Sequence, residues 1–291
     1  MHSLIYYLIA FLWAIFTGFI FSSIGAAGGI LASFGFITVL HITVANSVKV
    51  MSQILIIISP LIALPVYLRQ DRTKKIKNIL FYLGFIIAFG AIIGALFGSW
   101  FSKEYLSELK SFKYLFGYLT FLVAGLMIYN ILKQGKKIKQ KDTPVEDLNK
   151  LPSIGRVSFK RIDFECLSKN YSVSPPFLFF AGFIIAVISS IFGVGGGFLI
   201  VPFLTDINGL PVFLAAGISI LVVLISSITS VSNYIRMGVH VIIPVLIMTV
   251  AGVILGSVLG PKISQRLNEK WLKYTLIVLL FFIGVFYVFK P

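Results

Sequence analysis

The residues of this chain that could do chemistry are few, and none of them forms a catalytic set. GVGGG, Gly193 to Gly197, lies inside an uncharged stretch from Asn170 to Thr205. A related cluster, GAAGG from Gly25 to Gly29, lies inside another that runs from Met1 to Val48. Consecutive glycines break a helix, because each adds backbone freedom and offers no side chain to pack. A helix that restarts after such a break aims free N–H groups and its positive dipole end at the gap, which makes an anion site. The candidate binding residues in the two clusters are Gly25, Gly28, Gly29, Gly193, Gly195, Gly196 and Gly197.

A second group of candidates shares one helix face. Asn46, Lys49 and Gln53 stand at i, i+3 and i+7, with Ser47 beside them. Later in the chain Ser219, Ser226, Ser230 and Asn233 form a comparable stripe. Lys49 is the basic residue that sits inside an apolar segment rather than in a loop, where insertion costs about 2.5–3.5 kcal/mol. Such a charge marks a site by default, although a lysine near a helix start can also snorkel. Asp206, in TDINGLP, either pairs with a cation or caps a turn, and the turn is the simpler reading. His41 and His240 fall at expected helix ends. Cys166, the single cysteine, lies in a polar segment without partner ligands, so neither a disulfide nor a metal is expected, and no cofactor. The chain has no H-E-x-x-H, no G-x-S-x-G and no Walker motif, which argues against an enzyme and against ATP coupling.

The elements that must position these residues are transmembrane helices. The 291 residues are 58% hydrophobic and only 12% charged, with a mean hydropathy of +1.00. Uncharged runs well beyond the ~20 residues that cross a bilayer make this a polytopic membrane protein. The net charge of +15 lies in short loops. Membrane insertion produces that pattern, so the lipid bilayer is the expected partner and nucleic acid is not. The N-terminal apolar stretch lacks a positive n-region, so it reads as a helix rather than a signal peptide.

The chain also repeats itself. SSIGAAGGIL at Ser22 returns as SSIFGVGGGFL at Ser189, and VYLR at Val66 returns as NYIR at Asn233. Gly90, Gly94, Gly98 and Ser102 recur 162 positions later as Gly252, Gly256, Gly260 and Ser264. The expected division is a first transmembrane repeat at 1–132, a cytoplasmic linker at 133–175 and a second repeat at 176–291. Each repeat should hold a glycine-broken stretch followed by three helices, near 47–68, 79–101 and 112–132, then 212–235, 239–261 and 272–289. As one helix, residues 4–42 would be about 58 Å long, so the stretch must turn back or break. Spacing alone does not separate a broken stretch that crosses twice from a re-entrant hairpin.

Basic residues concentrate in 69–77 and 133–175 in the first half but in 262–273 in the second. By the positive-inside bias the two repeats are inverted, with an extracellular N-terminus, as in many secondary transporters. The fold class expected is an all-α polytopic membrane protein of two inverted repeats. The regularly spaced glycines at 90–98 and 252–260 read better as helix-packing positions than as breaks.

GVGGG followed by Pro202, then AAGISILV from Ala215, resembles the G-x-G-G-G…P and A-x-G-T-S patterns of the TauE/SafE sulfite exporter family, also called the 4-toluene sulfonate uptake permease family. VANSVKV, from Val44, resembles its A-N-A-T-N-K-V motif with one residue missing, and the likeness extends over both repeats. Alanines in GAAGG and Ile218 in place of a threonine depart from the pattern. The resemblance implies a secondary transporter in the cell membrane, expected to export sulfite, a sulfonate or another small sulfur-containing anion. The anion would sit between the breaks, with charge from Lys49 and hydrogen bonds from Asn46, Ser47 and Ser219. A passive anion channel is the alternative, distinguished by whether flux saturates. The sequence leaves a homo-oligomer open.

Overall fold

The computed structural model describes residues 2–24, 28–69, 71–137, 153–158, 160–166, 169–264 and 269–289. Among these, the first half holds α1 (His2–Ile24), α2 (Gly28–Phe34), α3 (Ala45–Arg69), α4 (Asp71–Tyr105) and α5 (Leu109–Lys137). The second half repeats the order with α6 (Pro175–Phe192), α7 (Gly197–Pro202), α8 (Val212–Arg236), α9 (Ile243–Ser264) and α10 (Glu269–Phe289). Both short helices continue into a π-helical turn, Gly35–Val39 after α2 and Phe203–Ile207 after α7. Six described helices are long and apolar enough to cross a membrane.

The opening stretch of each half does turn back. Tyr6 Oη donates to the Leu40 carbonyl at 3.1 Å and Trp13 Nε1 to Leu31 at 3.0 Å. Leu40 therefore returns to the level at which α1 began. The returning arm, Gly28–Val39, is too short to cross a core about 30 Å thick by itself. In the second half Phe203 returns to Phe177, with ring centroids 5.3 Å apart. Both arms end in the same turn. Leu40 N–H donates to Gly35 O and Ile42 N–H to Phe36 O, while Asn208 N–H donates to Phe203 O and Leu210 N–H to Leu204 O. Each of the second pair stands 168 positions after its counterpart.

Helix packing follows the same duplication. α1 lies along α9 and α4 along α6, so exchanging the halves turns one contact into the other. α3 packs on α8, and α5 on α10. Glycines set the two long contacts. A Cβ on Gly90, Gly94 or Gly98 would strike the carbonyls of Phe179, Phe183 or Val187, and one on Gly252 or Gly256 those of Phe11 or Ile15. These glycines are packing positions, as their four-residue spacing implies.

The segment between the halves is more than a polar linker. β1 (Ser153–Val157), β2 (Ile162–Cys166) and β3 (Lys169–Val173) form an antiparallel sheet in the order β1-β2-β3. Alternation in β2 turns Ile162, Phe164 and Cys166 inward, into a core shared with Ile76, Ile79 and Leu80 at the start of α4. Cys166 is thus a buried strand residue, where the sequence suggested a loop. A single five-residue strand carries the alternation, too short a signal to separate a strand from a polar loop in the sequence.

Candidate functional site

The second glycine cluster ends one helix and starts another. Pro175 and Pro176 open α6, where their fixed φ suits the first turn. Gly193 closes it in the left-handed region at φ 70, and the N–H groups of Gly193 and Val194 both donate to Ser189 O, at 2.8 and 3.2 Å. This is the helix ending that glycine favours, since a side chain is strained there. Gly195 follows at φ 71. α7 then restarts with Leu199 and Ile200 donating to Gly196 O, both at 3.0 Å. Among the described residues no hydrogen bond engages the N–H groups of Gly195, Gly196, Gly197 or Phe198. Gly193 to Gly196 and Phe198 are buried.

The first cluster comes to meet it. Gly28 and Gly29 open α2 and are buried, while Gly25 lies outside the described residues. A Cβ on Gly29 would strike Val194 O and lie 2.5 Å from Val194 Cα. The two breaks therefore touch backbone to backbone. Ile56, near the middle of α3, reaches both: its side chain faces Gly29 and Gly195.

Lys49 is fully buried beside this junction, and its own backbone packs on Gly193. Its ammonium does not snorkel to the surface. Nζ donates to Leu106 O at 2.6 Å, Asn46 Oδ1 at 3.1 Å and Ser102 O at 3.4 Å, and lies 4.8 Å from the Phe112 ring centroid. Ser102 lies in the last turn of α4 and Leu106 just past its end. Ser102 O also accepts from Leu106 N–H at 3.0 Å, while Leu106 O stands where the helix supplies no further donor. A cation there is favoured by the negative dipole end. All three ammonium protons are committed.

The other residues of the stripe divide between the breaks and the scaffold. Gln53 Nε2 donates to Ser190 O, one of the last carbonyls of α6, at 3.4 Å. Ser47 Oγ donates to His240 O at 2.6 Å, away from the breaks. On α8, Ser219 is buried and Ser226 donates to its own helix at Val223 O. Asn233 ties α8 to α4 through Ser99 Oγ at 2.7 Å and Leu96 O at 3.2 Å. Asp206 sits in the π-helical turn after α7, which Asn208 closes through Phe203 O, in keeping with the turn reading.

Comparison with known proteins decides the family. The sequence model of the sulfite exporter TauE/SafE family matches residues 10–287. The chain belongs to the TauE/SafE sulfite exporter family. It is also similar to a probable membrane transporter protein of Methanocaldococcus jannaschii, 45% identical over 64 residues, a match covering 20% of this chain and 24% of that relative. No solved structure matches.

In this TauE/SafE protein several residues at the junction escaped the sequence reading. Tyr234 Oη donates to Ser190 O at 3.0 Å and Ser102 Oγ to Ile191 O at 2.8 Å. With Gln53, they cap the carbonyls that α6 leaves open at its end, a requirement in lipid, where water cannot do it. Ser227 is buried on the same face of α8 as Tyr234, beside Ser230 of the stripe that the sequence does show. A face count of α8 that kept every hydroxyl, and the tyrosine, would have found them.

Proposed function

We propose that this chain is a secondary transporter of a small sulfur-containing anion, sulfite or an organosulfonate, with export as its direction. It works in the cell membrane with the N-terminus outside, the segment 133–175 in the cytoplasm and the two halves inverted. The switched basic loops support that orientation. The exchange of packing partners between the halves is in keeping with it.

One observation carries the binding site. The N–H groups of Gly195, Gly196, Gly197 and Phe198 lack acceptors at a buried point where two helix breaks meet, level with the middle of α3. Converging N–H donors in a low-dielectric site suit a compact oxyanion, whose oxygens accept from several directions. Gly28 and Gly29 bring the opposing backbone, while Gln53, bonded to Ser190 O at the end of α6, adds a polar group nearby. Lys49 contributes its charge across space, since its hydrogen bonds are spent on α4. Asn233 ties α8 to α4, while Asn46 steadies the Lys49 ammonium and Ser226 bonds within α8. Alternating access would then rock one half against the other about this junction.

The test is a thermal-shift screen of purified protein against sulfite, thiosulfate, sulfoacetate, taurine and sulfate, run beside Gly196→Val. A Cβ at Gly196 would lie 2.7 Å from Ile185 Cγ2, a side-chain atom that must shift, with Ile200 Cδ1 and Ile185 O at ordinary contact. The ligand-free melt of the variant therefore checks that it folds. A sulfur oxyanion should stabilise the parent protein and not the variant. Equal stabilisation of both would remove the anion from the break.

A further inference from the structure

We propose that the junction also holds a sodium ion, bound by oxygens of α3 and α8 beside the end of α6, together with the anion. The inference rests on the anion reading above and on a separate set of atoms. Gln53 Oε1, Ser227 Oγ and Ser230 Oγ are buried with no hydrogen-bond partner. Their residues are 1%, 2% and 0% exposed. An orphaned polar atom costs about 1–3 kcal/mol at such depth, so three in one region ask for a ligand.

The packing brings them together. Gln53 Nε2 and Tyr234 Oη donate to the same oxygen, Ser190 O. Ser230 and Ser227 stand one and two turns before Tyr234 on its face of α8. Across from them, Val50, Ile54 and Ile57 of α3 pack around Val231 and Tyr234, which sets Gln53 level with this part of α8. The amide orientation is not free, because turning Oε1 toward Ser190 O would oppose two acceptors. Gln53 Oε1 therefore presents an acceptor that no protein donor meets.

The chemistry selects the ion. Neutral carbonyl, amide and hydroxyl oxygens suit a hard monovalent cation; a divalent ion draws on carboxylates, and the set offers none to take a proton. The end of α6 supplies the negative dipole terminus, the arrangement that coordinates sodium at broken helices in other inverted-repeat folds. An anion in this interior gains from a counter-charge closer than the Lys49 ammonium, whose hydrogen bonds are spent on α4. A co-bound sodium, a few residues along the chain from Gly195–Gly197, provides it. Co-binding would make each ion raise the protein's affinity for the other.

The experiment measures the melting temperature of purified protein, without any sulfur anion, in sodium chloride against potassium and choline chloride at equal ionic strength. Sodium alone should raise it, saturably, by several degrees. Ser227→Ala and Ser230→Ala remove only unpartnered hydroxyls, so both should fold at least as well as the parent and lose the sodium response. Sulfite titrations in the two salts complete the test, with tighter binding expected in sodium. Identical melting in all three salts, or a sodium response that survives both substitutions, would overturn the site. Sulfite affinity independent of sodium would overturn the coupling while leaving the anion reading intact.

Discussion

The turns that end the two returning arms are built alike from unlike residues. Leu40 and Ile42 in one, Asn208 and Leu210 in the other, close the same pair of backbone bonds at the same spacing. Between them the first turn places His41 at φ 52 and the second places Gly209 at φ 67. Backbone geometry is thus held in both halves while side chains have diverged. The same holds for the helices that follow. α3 carries Lys49 and Gln53, and α8 carries the hydroxyls of Ser226, Ser227 and Ser230 at comparable depth, with Asn233 half-buried. The halves share a scaffold and divide the chemistry.

The sharpest way to break that comparison is at Gly193. An L-residue in the left-handed region costs roughly 1–2 kcal/mol. A Cβ there would also lie 2.7 Å from Lys49 O and 2.8 Å from its Cα, both backbone atoms that cannot move aside. Gly193→Val should lose about 3 kcal/mol or more, overpacking included, and yield little folded protein. Size-exclusion chromatography in detergent reads it; a monodisperse, stable variant would mean that the break is not fixed by this contact.

Next come the matched packing glycines. Gly94→Leu pushes α4 from α6, and Gly256→Leu pushes α9 from α1, because each Cβ meets a backbone carbonyl, of Phe183 and of Ile15. Each should cost at least the 1–3 kcal/mol of ordinary overpacking, and by similar amounts. Gly125→Leu is the control, since a Cβ there meets nothing within 4 Å. Thermal melts of the three variants test the equivalence. A large difference between the first two would show that the halves do not bear load alike.

Lys49→Met sharpens the asymmetry between α3 and α8. It keeps an unbranched chain, one atom shorter, but leaves Leu106 O without its lysine donor, at about 1–3 kcal/mol, while Ser102 O keeps the Leu106 N–H. A lower melting temperature without ligand is expected. An unchanged one would free Lys49 from its scaffold role and return it to the anion as a direct ligand.

The smallest effect is at His41. Giving the first turn the residue of the second, His41→Gly, relieves a left-handed side chain but adds unfolded-state freedom, for a net gain of about 0.5 kcal/mol. Gly209→Ala should lose about 1 kcal/mol for the converse reason. Chemical denaturation of both variants measures the pair, and opposite signs are required.

Much of this was legible in one dimension. Helix number, most long-helix boundaries to within about five residues, the duplication and both glycine clusters follow from apolar runs and spacing, because a bilayer demands about 20 apolar residues per crossing. α4 starts at Asp71, eight residues before the expected 79, since its first turns are charged and run past the apolar span. The role of Gly90, Gly94 and Gly98 was legible for the same reason: a four-residue stripe of small side chains has one common use. The small sheet was not, since its strands are five residues long and their burial depends on α4. Lys49 was recognised as exceptional, but its partners lie more than fifty positions away. Only tertiary structure decides which carbonyls a buried ammonium meets. It alone brings Gly29 against Val194 and sets Gln53 level with Ser230, because such contacts join segments that the chain separates by well over a hundred residues. Apolar patterning determined how many helices there are and where they break; the packing of one half against the other decided which breaks and which polar groups share a site.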